Sequence, residues 1–89
     1  MTKNLQKEIA DNYINYFCTF DLGCSSALVS VGFKLISLDK SNPRKVRFVF
    51  YREIGIEKIV DEYWANELRI PARVFFDNIK MLKNRIYSE

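Results

Sequence analysis

The segment from residue 33 to residue 52 constrains the fold most. Two runs of β-favouring residues, 33–40 and 45–52, flank Ser41, Asn42, Pro43 and Arg44. Proline fixes its own φ and pushes its predecessor into extended geometry, so this composition predicts a turn and the whole segment a β-hairpin. Side chains alternate along a strand. Val46, Phe48 and Phe50 therefore share one face of the second strand and mark the core. Arg47, Val49 and Tyr51 share the other face, which mixes apolar and basic groups; Lys34, Ile36 and Leu38 of the first strand are expected to join it.

The flanking residues supply the cover. Leu5, Ile9 and Tyr13 recur every fourth position and predict a short N-terminal helix, a peripheral element or arm within residues 1–12. Tyr16 to Phe20 favour a strand that runs straight into a helix over 22–31, with Asp21 placed to cap it and Gly32 to end it in a left-handed conformation. This helix carries Leu22, Ser25, Ser26 and Val29 on one side and Leu28 beside them, and its small residues Gly23 to Ala27 point to close packing on a neighbour. Residues 53–67 read helical, with Ile56, Ile59, Val60 and Tyr63 as an apolar stripe and Trp64 beside it. Arg69, Ile70 and Pro71 break the pattern, and Pro71 suits the first position of a last helix over 72–87, whose stripe is Phe75, Ile79, Leu82 and Ile86. The expected order αβαββαα gives an α+β class, a small three-stranded antiparallel sheet covered by helices in a single domain spanning 1–89.

Missing residue types narrow the chemistry. The 89-residue chain has no histidine, which removes the commonest neutral-pH acid/base and the commonest zinc ligand. Cys18 and Cys24, six apart, match neither a CxxC redox pair nor a zinc knuckle, and they read as buried free thiols. A helix N-terminus beside Cys24 is expected to lower its thiol pKa somewhat. The three glycines form no nucleotide-binding loop. These absences favour a non-enzymatic protein with no cofactor or metal. No apolar stretch is long enough to span a membrane, and residues 1–10 lack the apolar run of a secretory signal, so a cytoplasmic, soluble domain is expected.

Charge is distributed unevenly. The net charge is +3, yet residues 31–53 sum to +4 and 69–89 to +3, while 1–30 sum to −1 and 54–68 to −3. Lys40, Arg44, Lys45, Arg47 and Arg52 surround the hairpin beside Tyr51, offering phosphate contacts next to a stacking surface. The structural alternative is that these charges solvate the hairpin and guard an edge strand. On the last helix, Arg73, Asp77, Lys80 and Asn84 form a polar stripe with Lys83 alongside, which any solvated helix face would also show. The break at 69–71 invites a helix-turn-helix reading, which the strong apolar stripe of the last helix disfavours.

The stretch Tyr16 to Lys34, YFCTFDLGCSSALVSVGFK, resembles the opening of a small family of uncharacterised prokaryotic and phage domains. Its marks are an aromatic at Tyr16 or Phe17, then Thr19, Asp21, Leu22, the small residues Cys24 to Ala27, and Gly32. Phe48, Phe50, Tyr63, Leu82, Lys83, Ile86 and Tyr87 resemble its later half, so the likeness covers Tyr16 to Ser88. The resemblance implies a mobile-element or phage setting and brings no catalytic residue. From the residues themselves, the leading expectation is a binding module for nucleic-acid phosphate using Arg44, Lys45, Arg47, Tyr51, Arg73, Lys80 and Lys83. The alternative is a protein-interaction or homodimer-forming module using the face of Arg47, Val49 and Tyr51.

Overall fold

A computed structural model describes residues 15–88, and the helix expected from Leu5, Ile9 and Tyr13 lies outside the described residues. Six elements follow in order: β1 (Tyr16–Thr19), α1 (Leu22–Ser30), β2 (Leu35–Asn42), β3 (Lys45–Tyr51), α2 (Ile56–Trp64) and α3 (Ala72–Tyr87). The class is α+β, a three-stranded antiparallel sheet in the order β1-β3-β2 with three helices.

Alternation along β3 sets the two faces of the sheet. Phe48 and Phe50 are buried with Cys24 and Leu28 of α1, Ile56 of α2 and Leu82 of α3, which makes one core between sheet and helices. On the opposite face Val49 and Tyr16 are buried, with Cys18 and Ile36 packed against them. The hairpin differs from expectation in its limits and its register. Its turn is only Pro43 and Arg44, because Asn42 already pairs with Lys45. Proline at the first turn position holds φ negative, which a primed hairpin turn cannot use, and a register irregularity between Asp39 and Asn42 accommodates the mismatch in twist. A second irregularity sets both Ile36 and Ser37 against Val49. It resets the alternation, so Leu38 packs into the helix-side core instead of joining the mixed face as expected.

β2 begins later than expected because the preceding residues finish α1. Gly32, at φ 108°, donates its N–H to Val29 O (3.1 Å), and Phe33 donates to Leu28 O (2.9 Å). This paired arrangement is a Schellman cap, open to glycine because a left-handed residue must follow the helix. At the other end Asp21 Oδ1 accepts from Cys24 N–H at 2.7 Å, as expected of a capping residue, and Asp21 N–H donates to Thr19 Oγ1 at 3.1 Å.

Helix α1 has no single buried side. Cys24 to Leu28 are all buried, because α1 lies against both α2 and α3 as well as the sheet core. Ser25 and Ser26 have no accessible surface, and each hydroxyl donates back to a carbonyl four residues earlier, Asp21 O at 2.9 Å and Leu22 O at 2.8 Å. Ser30 Oγ accepts from Asn78 Nδ2 at 2.9 Å, a polar tie from α1 to α3.

Helix α2 is shorter than residues 53–67. Gly55 stands ahead of it at φ 93°, and Asn66 closes it at φ 61°, with Asn66 N–H on Tyr63 O (3.1 Å) and Glu67 N–H on Glu62 O (2.9 Å). Pro71 occupies the cap of α3 and not its first helical position. Its ψ of 132° is extended, while its carbonyl accepts the first helical bond, from Phe75 N–H at 3.1 Å.

Tyr63 fixes the approach of α2 to α1. A β-carbon added to Gly23 would lie 2.1 Å from the Tyr63 hydroxyl oxygen, so this close contact requires glycine. Gly23→Ala gains about 1 kcal/mol of helix propensity, yet overpacking a fixed aromatic costs about 1–3 kcal/mol. The expected outcome in denaturant titration is net destabilisation that shrinks in the Tyr63→Phe background. Equal losses in both backgrounds would disprove the contact.

Candidate functional site

Antiparallel pairing of β1 with β3 brings the loop after β1 to the turn end of the hairpin. Tyr16 faces Tyr51, Cys18 faces Val49 and Thr19 faces Phe48, so the next outward residue, Phe20, comes beside Arg47. There Phe20, Asp39, Ser41, Asn42, Lys45 and Arg47 line an open hollow of about 230 Å³. Phe20 is 57% exposed, with Lys45 Nζ 5.2 Å from the centroid of its ring. Arg47 Nη2 is 2.6 Å from Asp39 Oδ2, while its buried Nε has no hydrogen-bond partner. The walls of the hollow are fixed locally: Ser41 N–H donates to Asp39 Oδ1 at 3.0 Å and Arg44 N–H to Asn42 Oδ1 at 2.9 Å. The Ser41 backbone N–H holds the Asp39 carboxyl below its ordinary range, against partial desolvation, with further help from the Ser41 side chain and Arg47.

The seven basic and aromatic residues expected to contact nucleic acid are therefore divided. Arg44, Lys45 and Arg47 gather at the turn end of the hairpin. Tyr51 is at the far end of β3, half-exposed, its ring stacked on Tyr16 with centroids 5.8 Å apart. Arg73, Lys80 and Lys83 belong to the exposed side of α3, in the helical layer. Arg73 Nε is 3.9 Å from Asp77 Oδ2, and Lys80 Nζ is 5.2 Å from the centroid of the Phe76 ring. The aromatic that does stand among the hairpin cations, Phe20, is absent from the sequence-derived set. Its signal was the alternation Tyr16, Cys18, Phe20, which becomes informative only once β1 is known to pair with β3.

A second hollow, of about 210 Å³, lies between α2 and α3 and is lined by Tyr63, Asn66, Leu68, Ile70, Ala72 and Phe75. Trp64, 60% exposed, packs edge-on to Tyr63 with centroids 5.0 Å apart, and Val74 and Phe76 of α3 are also exposed. No group of three or more metal-ligating side chains converges among the described residues. None of their helices is long and apolar enough to cross a membrane.

A family model described as a domain of unknown function, DUF5659, matches residues 14–88. The chain belongs to the DUF5659 family. The match takes in all six elements, and the resemblance drawn over Tyr16 to Ser88 falls within it. Thr19, Asp21 and Gly32, which carried that resemblance, serve the ends of α1 in this DUF5659 domain. No curated protein and no solved structure matches the chain.

Burial disfavours the thiolate form at both cysteines. Burial pushes the Cys24 thiol up to about 11, with the Asp21 carboxylate adding to the rise. Desolvation thus overrides the lowering expected from the helix N-terminus. Burial raises Cys18 as well, against the opposing pull of Arg47 and Arg52. Cys24 is expected to resist iodoacetamide at neutral pH and to alkylate promptly in denaturant, as read by mass spectrometry. Prompt labelling of Cys24 in the native protein would contradict this burial.

Asp39 gives a pH signature of known sign. Folding lowers its pKa, so the unfolded chain takes up that proton more readily. The stabilisation is present above about pH 4, the ordinary aspartate value, and is lost as pH falls through the lower folded value. Denaturant titrations across the acid range should show this loss, and the slope should flatten in Asp39→Asn.

Proposed function

We propose that the chain is a non-enzymatic binding module that takes nucleic-acid phosphate at the turn end of its hairpin. The observation that carries this reading is the gathering of Lys45 and Arg47 around one open hollow, with Arg44 in the adjoining turn. Phosphate binding needs exposed cations that converge, because each contact releases counterions from the nucleic acid. Asp39 is the opposing carboxylate in the hollow and draws on Arg47, so Lys45 and Arg44 supply the larger part of the attraction. Arg73, Lys80 and Lys83 do not line this hollow. A chain without histidine, with raised thiol pKa values, is also better suited to binding than to acid–base or nucleophilic chemistry.

A second reading is a protein-interaction module, homodimer formation included. The surface that favours it is the exposed Trp64, Val74 and Phe76 near the hollow between α2 and α3. The sheet face expected for that role does not offer Val49, which is completely buried within the chain.

Fluorescence anisotropy with labelled single-stranded and duplex DNA and RNA tests the first reading. Binding should weaken as salt rises, and the double reversal Arg44→Glu/Lys45→Glu should weaken it for all sequences alike. For single strands the reversal should reduce the slope of log K against log salt by about 1.4 if each residue meets one phosphate. Absence of binding at low salt, or indifference to the reversal, would reject this reading in favour of the second.

A further inference from the structure

We infer that Phe20 is a stacking platform for one unpaired nucleobase, which makes single-stranded nucleic acid the ligand class of the hairpin site. The inference rests on the phosphate-binding reading above and adds to it the part of the ligand that lies between phosphates.

The position of Phe20 follows from register. β1 ends at Thr19 and α1 is capped by Asp21, so Phe20 is held between a strand and a helix cap. Both sides of this joint are fixed, since the Asp21 N–H donates to Thr19 Oγ1 and its side chain caps α1. Phe20 belongs to neither core cluster and keeps more than half of its residue surface in solvent. A large apolar ring held in the open by fixed backbone on both sides has the preorganisation that a stacking surface needs.

Its surroundings supply the remaining recognition chemistry. Lys45 lies over the Phe20 ring at 5.2 Å. An exposed cation–π contact is worth less than a base stack, so Lys45 can turn to a phosphate while a base takes its place on the ring. Asn42 has its Oδ1 occupied by the Arg44 amide, which leaves its Nδ2 donors for acceptors on a base edge. Every base has a π-face, so the platform tolerates any sequence. A duplex keeps its base faces stacked inside the helix and offers this ring nothing. Tyr51 is not a second platform at this site: it pairs with Tyr16, four residues before Phe20 along the chain and about 13 Å away at strand rise, and its ring is stacked on Tyr16.

The test uses fluorescein-labelled oligothymidylate, an abasic strand of the same length, the matching duplex and free thymidine monophosphate, titrated by anisotropy or by competition. Wild type should bind oligothymidylate more tightly than either the abasic strand or the duplex. Phe20→Leu should weaken oligothymidylate binding about 5- to 150-fold, leave the abasic strand unaffected, and be rescued by Phe20→Trp. Circular dichroism on the folded variants checks that the exposed substitution leaves the domain intact. If Phe20→Leu binds oligothymidylate like wild type while Lys45→Glu weakens it, the platform is overturned and phosphate binding stands. If wild type binds neither strand, both readings fall together. Free thymidine monophosphate binding as tightly as the strand would overturn single-stranded nucleic acid as the ligand class.

Discussion

Everything in this domain depends on a nine-residue helix buried at its centre. A helix leaves unpaired N–H groups at one end and unpaired carbonyls at the other, and a buried helix cannot leave all of them to water. In α1 the requirement is met by neighbouring chain. Asp21 takes the Cys24 amide, and Gly32 and Phe33 return to Val29 and Leu28, while the buried hydroxyls of Ser25 and Ser26 are satisfied on carbonyls at the start of the helix. Small side chains then allow approach from several directions at once. Gly23 admits the Tyr63 hydroxyl of α2, and Ser30 meets Asn78 of α3. A larger residue at either contact would separate the helices from one another, and with them the core that Phe48 and Phe50 share with Leu28, Ile56 and Leu82.

The sheet answers to a different constraint, the twist of a hairpin closed by Pro43 and Arg44. β2 carries two register irregularities, and each has a consequence for side-chain placement. The one at Ile36 and Ser37 turns Leu38 toward the helices and keeps apolar groups in the core. The one between Asp39 and Asn42 lies beside the hollow, where the Asp39 carboxylate takes both the Ser41 amide and the Arg47 guanidinium. Local turn geometry thus decides how much of the hairpin's positive charge is offset and how much remains on Lys45 and Arg44.

The sequence revealed those elements whose signals are local. Asp21 lies between a strand pattern and a helix pattern, Gly32 follows the last apolar turn of α1, and the stripe Phe75, Ile79, Leu82, Ile86 defines α3 over the residues it occupies. Element ends were less legible where backbone conformation overruled propensity. Glu53 and Ile54 favour continuation of a helix that Gly55 at φ 93° prevents, and Asn66 at φ 61° ends α2 before a run that still reads helical. An inserted residue in β2 carries no compositional mark, so the placement of Leu38 could not be read from alternation. The candidate site was legible in its hairpin cations, which are neighbours in sequence. Phe20 is distant from them in sequence and joins them only through the pairing of β1 with β3.

This division between local and long-range signals also separates the residues that build the fold from those left to meet a ligand. Thr19, Asp21, Gly23 and Gly32 are engaged in capping, close approach and helix termination, and Phe48, Phe50 and Leu82 in the core. Such residues are needed whatever the domain binds. A ligand has to be met by side chains that the fold leaves over. On the sheet side these include Phe20, Arg44 and Lys45, and on the helix side Trp64, Val74 and Phe76. The first set combines positive charge with an aromatic ring at an open hollow, whereas the second is largely apolar. The two proposed readings therefore differ in which of these two surfaces is used, since the core serves either equally well.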